Sequence, residues 1–173
     1  MKKTIITTVL AMLFAGSALA GDLPSTKVLV EETTITTNPW AITPFVGGNV
    51  GYAFAASPYG TLGVEAGAQT KYFGFKGAYE FYDAFNSNTA NVVRAVPFVQ
   101  YPLAYNITPF AGLGLGYAWH NNGASNSIYT VEGGLKYHLL AKTDVLAWYE
   151  YDHALNYASK PDNAIKIGVR QSF

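Results

Sequence analysis

Cysteine is absent from all 173 residues, and that absence removes two classes at once. A lipid-anchored lipoprotein of the bacterial kind cannot be built without it, and no disulfide can hold a small exported core together. Charge is scarce, at 13% of residues, and methionine is confined to Met1 and Met12. Outside residues 5–14 no apolar run approaches the roughly 20 residues that a spanning helix needs. Any membrane embedding of the rest must therefore be by strands. A basic excess is also missing: 11 Lys+Arg face 11 Asp+Glu, and Lys2 and Lys3 stand at the extreme amino end. Nucleic acid and anionic surfaces are accordingly not expected as partners.

Present in abundance are tyrosine, phenylalanine and glycine. Lys2 and Lys3, the apolar stretch from Ile5 to Phe14 and the small-residue pattern Ala18-Leu19-Ala20 before Gly21 form an export signal over residues 1–20. Residues 21–40, β-prone and polar, read as a periplasmic lead that supplies no amphipathic helix. Residues 41–173 are long enough for one domain.

That domain alternates throughout. The last residues, from Ile165 to Phe173, place Ile165, Ile167, Val169 and Phe173 on one face and Lys166, Gly168, Arg170 and Ser172 on the other. A strand with lipid on one side and a polar interior on the other has this pattern. Strands are expected near 41–55, 60–70, 71–82, 91–101, 107–119, 128–139, 144–152 and 164–173. Links after the second, fourth and sixth are brief. Those at 83–90, 120–127 and 153–163 are longer and polar, with a tight exception at 56–59. Short turns on one side and longer loops on the other predict an all-β fold, an eight-stranded antiparallel up-and-down transmembrane β-barrel, with its short turns in the periplasm.

Setting charges inward sends Val46, Val64, Phe75, Val93, Leu115, Val131 and Val145 outward, and no charge lands on an outer face. A Lys or Arg there at the bilayer midplane would cost about 2 to 4 kcal/mol. Outward aromatics gather at one rim as Tyr52, Phe54, Tyr117, Trp119, Tyr149 and Tyr151, and at the other as Phe73, Tyr101, Tyr137 and Phe173. These are two interfacial girdles. The segment at 42–53, with Ile42-Thr-Pro-Phe-Val-Gly, recurs at 107–118 as Ile107-Thr-Pro-Phe-Ala-Gly, as in a doubled half-barrel.

Inward stand Glu65, Glu80, Glu132 and Glu150 against Lys76, Arg94, Lys136, Lys166 and Arg170. Eight strands leave an interior that side chains fill, so these groups are expected to meet as a network that plugs the lumen. A channel running past the pairs is the competing reading. Glycines facing inward at 47, 51, 112, 114 and 116 are expected to make room for long side chains from across the lumen.

The Thr-Pro-Phe-x-Gly strand starts, the inward Glu/Lys/Arg set and the terminal Phe173 resemble the small outer-membrane barrels related to the OmpA transmembrane domain and the opacity and Ail/OmpX proteins. The resemblance covers residues 41–173. It implies residence in the bacterial outer membrane among its lipid and lipopolysaccharide, and insertion by the barrel-assembly machinery reading the final strand and Phe173. It also implies loops that bind host or surface molecules, although these loops are shorter than those of family adhesins and no peptidoglycan-binding domain is expected after the barrel. Some small barrels modify lipid A. The deacylase-like members use an outward His followed two residues later by Ser, and His120, His138 and His153 all lack that Ser. His120 and His153 fall at the long-loop rim, and His138 reads as an inward, packed polar residue. No His/Asp/Glu cluster has metal-ligand spacing. The sequence thus points to a barrel that is not an enzyme, needs no cofactor or metal, and serves a structural and surface role.

Overall fold

The computed structural model describes residues 38–54, 58–84, 88–155 and 162–173. The export signal and nearly all of the lead, up to residue 37, lie outside the described residues. Eight strands run β1 (Thr43–Ala53), β2 (Tyr59–Gln69), β3 (Phe73–Ala84), β4 (Asn88–Gln100), β5 (Ile107–His120), β6 (Ser125–Leu140), β7 (Thr143–Ala154) and β8 (Asp162–Ser172). Each pairs antiparallel with its neighbour in sequence, and β8 returns to β1 to close the barrel. At that seam the register runs from Phe45 opposite Ser172 to Ala53 opposite Ala164, and the Phe173 amide donates to the Pro44 carbonyl. Closure leaves no edge unpaired, and that is what a bilayer demands of a sheet.

Turns on one side are short, as the sequence suggests. Thr70 caps the β2–β3 turn, accepting from the Phe73 amide at 3.1 Å. Between β4 and β5, Tyr105 and Asn106 both take positive φ, 61° and 62°, the backbone of a tight turn with left-handed central residues. Beside the β2–β3 turn, Trp40 stacks on Phe73 with ring centroids 6.2 Å apart, so the end of the lead contributes to that girdle.

The longer links differ from expectation. The strands continue into the segments read as loops at 83–90, 120–127 and 153–163: Asp83 pairs with Thr89, Tyr117 with Ser127 and Asp152 with Asp162. The reason is that a polar composition marks exposure to water, whereas ladder pairing satisfies the backbone wherever the neighbour continues. One consequence is that Asp83 takes the outward parity at the loop-side end of β3 and is exposed. It is the charge that the strict inward rule misses, and it lies beyond the apolar part of the strand.

The outer surface is a belt of exposed apolar side chains, among them Val64 at 59%, Leu113 at 62%, Leu115 at 63% and Ile167 at 57%. So much exposed hydrocarbon is incompatible with water on all sides and matches lipid contact. Leu113→Arg, at the middle of β5, is expected to destabilise the folded barrel in phospholipid vesicles by about 2 to 4 kcal/mol, measured by urea titration.

Candidate functional site

The lumen is built in layers. Toward the loop-side mouth, inward positions carry Ala53, Tyr59, Tyr82, Ala90, Val92, Ala118, Ile128 and Ala164, a buried apolar cluster. Below comes a band of charge, and near the turn end sit Phe45, Phe98, Phe110, Leu146 and Trp148, also buried. Alternation explains the faces. The layers result from where on each strand a charge is placed.

All nine inward charges expected from the sequence reach the lumen and are buried. In the upper part Arg94 bridges Glu80 at 2.9 Å, Glu150 at 2.7 Å and Asp152 at 2.7 Å. Lys166, fully buried, reaches Glu150 at 2.5 Å and also pairs with Glu80. In the lower part Lys76 joins Glu65 at 3.2 Å to Glu132 at 2.9 Å, and Arg170 meets Glu65 at 2.7 Å. Lys136 donates to Gln69 at 3.2 Å and Gln100 at 2.8 Å. Trp148 connects the two parts: its indole N–H points at Glu150, 3.5 Å away, and Lys76 lies 5.3 Å from its ring centroid. Arg170 is sandwiched between Phe45 and Phe98, at 4.0 and 5.5 Å from the ring centroids.

Several members escape the sequence reading. Asp152 is buried beneath Arg94 and also accepts from Thr130 Oγ1 at 2.6 Å and Tyr82 at 3.1 Å. Asp144, also buried, lies 3.9 Å from Lys136. Both were legible by parity, since Asp144 and Asp152 stand at the two ends of the expected seventh strand, on the same face as Glu150, yet the expected inward set leaves them out. With them, the expected single-base excess becomes a single-acid excess. Gln69, Gln100 and Tyr82, uncharged, gave no such signal.

The inward glycines make room differently than expected. A Cβ on Gly47 or Gly112 would meet the Cγ of Glu65 or Glu132 at 3.1 Å, one on Gly116 the Cγ of Arg94 at 3.0 Å, and one on Gly51 the Cγ of Lys166 at 2.6 Å. Each of these is the residue directly opposite on the paired strand. A long side chain in a narrow barrel must first lie over its neighbour before it can reach inward, so the room is needed beside its root, and the far wall is not involved.

His138 faces the turn-side mouth, partly exposed, with Nδ1 2.5 Å from Asp144 and Nε2 3.3 Å from Thr108 Oγ1. A carboxylate, imidazole and hydroxyl in that order have the connectivity of a nucleophile relay. Thr108 is only 1% exposed, so no substrate carbonyl can approach its oxygen, and the three groups serve as a polar clasp across β5, β6 and β7. His153 projects outward and stacks on Tyr129 at 5.5 Å, opposite in direction to the inward Asp152. Among the described residues no cluster of His, Asp and Glu could hold a metal ion.

No protein-family model and no curated protein matches the sequence. Solved structures match in fold. Neisserial surface protein A is 16% identical with a TM-score of 0.61, over 76% of this chain and 97% of that one. The N-terminal β-barrel domain of Pseudomonas aeruginosa OprF is 14% identical with a TM-score of 0.60, over 75% and 97%. Ail of Yersinia pestis, the attachment invasion locus protein, is 10% identical with a TM-score of 0.53, over 76% and 97%. A de novo designed transmembrane barrel, at 19% identity and a TM-score of 0.53, also matches, so the architecture alone specifies no activity. Closed antiparallel topology, an apolar outer belt and these matches together give the chain the fold of the small eight-stranded outer-membrane β-barrels.

Proposed function

We propose that this chain is a structural protein of the bacterial outer membrane whose lumen is plugged by its own ion pairs and which meets its surroundings through the rim at the loop end. The observation that carries the reading is the paired charge band, contributed by β2, β3, β4, β6, β7 and β8, with an apolar layer above it and Phe45, Phe98, Phe110 and Trp148 packed among its lower members. Apart from Lys136 and Asp144, 3.9 Å apart, the pairs stand at 3.2 Å or less, which leaves no room for a water between partners. Burying such groups is tolerable only when they are paired and hydrogen-bonded, and a conducting path would have to pull them apart.

Lipid and lipopolysaccharide are the partners that fit the outer belt. The barrel-assembly machinery, reading β8 and Phe173, is the partner for insertion. No enzymatic role is proposed, because the His138–Asp144 pair, which reaches the Thr108 hydroxyl, has that hydroxyl sealed. Surface contacts fall to the short connections within 83–90, 120–127 and 153–163 and to the rim residues beside them. Liposomes carrying the refolded barrel are expected to swell in isosmotic sugar no faster than protein-free liposomes. Swelling that rises with the amount of protein would replace this reading with that of a small-solute channel.

A further inference from the structure

We infer that the loop-side mouth of the barrel is a binding cup for a small organic cation: an ammonium group carried on an apolar body about the size of one ring. A cavity of about 180 Å³ opens there, its wall mostly apolar through Ala90, Val92, Ala118, Ile128 and Ala154, with Tyr82, Asp152, Asn126, His120 and His153 also on its surface. An apolar cavity of about 150 Å³ is enough to hold benzene. Alanines at these inward positions leave space that leucine or phenylalanine would fill.

Charge decides what the occupant carries. In the lower lumen three cations, Lys76, Lys136 and Arg170, answer three carboxylates, Glu65, Glu132 and Asp144. In the upper lumen only Arg94 and Lys166 face Glu80, Glu150 and Asp152. The excess acid therefore lies next to the cup. Asp162, half-buried and also lining the cup, adds to it. Tyr59 and His120 stand within electrostatic range of it, but no Lys or Arg pairs with it among the described residues. An apolar wall beside a carboxylate that no described Lys or Arg pairs favours an amine over an anion, and over a neutral molecule of the same shape. The site sits above the charge band and uses none of the groups that fill it except the face of Asp152.

The test uses the ¹⁵N-labelled folded barrel in micelles at about pH 8, where an ordinary histidine is neutral. Benzylamine, benzyl alcohol and benzoate are titrated in turn, and amide shifts are followed. Benzylamine is expected to give saturable shifts centred on Ala118, Ile128 and Asp162. Benzyl alcohol should bind about tenfold more weakly, as befits the loss of one charge-assisted contact, and benzoate should not bind. Asp162→Asn should bring benzylamine down to the level of benzyl alcohol. Ala118→Leu should abolish binding while the protein keeps the heat-modifiable gel mobility of a folded barrel. Equal affinity for benzylamine and benzyl alcohol, unchanged affinity in Asp162→Asn, or shifts confined to the outer belt from micelle partitioning would each overturn the inference.

Discussion

Arg94→Met is expected to cost the folded barrel about 3 to 5 kcal/mol, the range for removing one partner from a buried ion cluster. The guanidinium is held at 2.9 Å or less by Glu80, Glu150 and Asp152 and also meets the Tyr82 hydroxyl. Its removal leaves the three carboxylates with Lys166 as the one remaining cation of the upper cluster, in a space too dry to solvate them. Glu132→Gln is expected to cost only about 1 kcal/mol. One of its oxygens already lacks a partner, and Lys76, the cation it holds, retains Glu65 at 3.2 Å. Urea titration of both variants in phospholipid vesicles, read out by heat-modifiable gel mobility, measures the difference. Equal costs would mean that the lumen admits enough water to solvate its charges individually.

Adjacent glycines are expected to respond in opposite ways. A Cβ on Gly134 would come within 2.3 Å of the Ala147 carbonyl and 2.4 Å of the Trp148 Cβ. The first of these is backbone in the β6–β7 ladder and cannot turn aside. Gly134→Ala should therefore cost about 1 to 3 kcal/mol through overpacking, together with slower folding into vesicles. Gly133 points outward, where the nearest atom to an added Cβ is the Phe110 carbonyl at 3.7 Å, an ordinary contact. Gly133→Ala should change stability by less than about 0.5 kcal/mol. The same urea titration reads both, and a large cost at Gly133 would contradict the inward and outward assignment of β6.

Strand number, order and facing were legible because a barrel wall imposes period two on every strand, and a single misplaced charge would break the pattern. Leu113, Val131 and Ile167 lie outside and Lys76, Glu132 and Lys166 inside, as alternation requires. Strand ends were not legible. Asp83 sits in a polar stretch that reads as loop, yet the ladder runs through it, and Asp152, the last residue of the expected seventh strand, pairs onward with Asp162. The layering of the lumen was hidden for a different reason. Height in the barrel depends on the stagger between strands, and the inward residues of a sequence carry no stagger. Lys166 and Arg170 share one strand, but the former joins Glu80 and Glu150 while the latter joins Glu65 and Gln69. Which acid meets which base, and the collection of small side chains into a cup at one mouth, emerge only when the register is fixed. The glycine positions carried part of that register all along: Gly47, Gly51, Gly112 and Gly116 each stand opposite a long charged residue.

Single-channel recording of the refolded protein in a planar bilayer tests the plugged lumen most directly. A barrel that is inserted and heat-modifiable, and that gives no steady conductance over hours of recording in concentrated salt, is the predicted result. Steady, ion-selective openings from the wild-type protein would contradict it, because ions can pass only if the pairs around Arg94 and Lys166 stand apart with water between them.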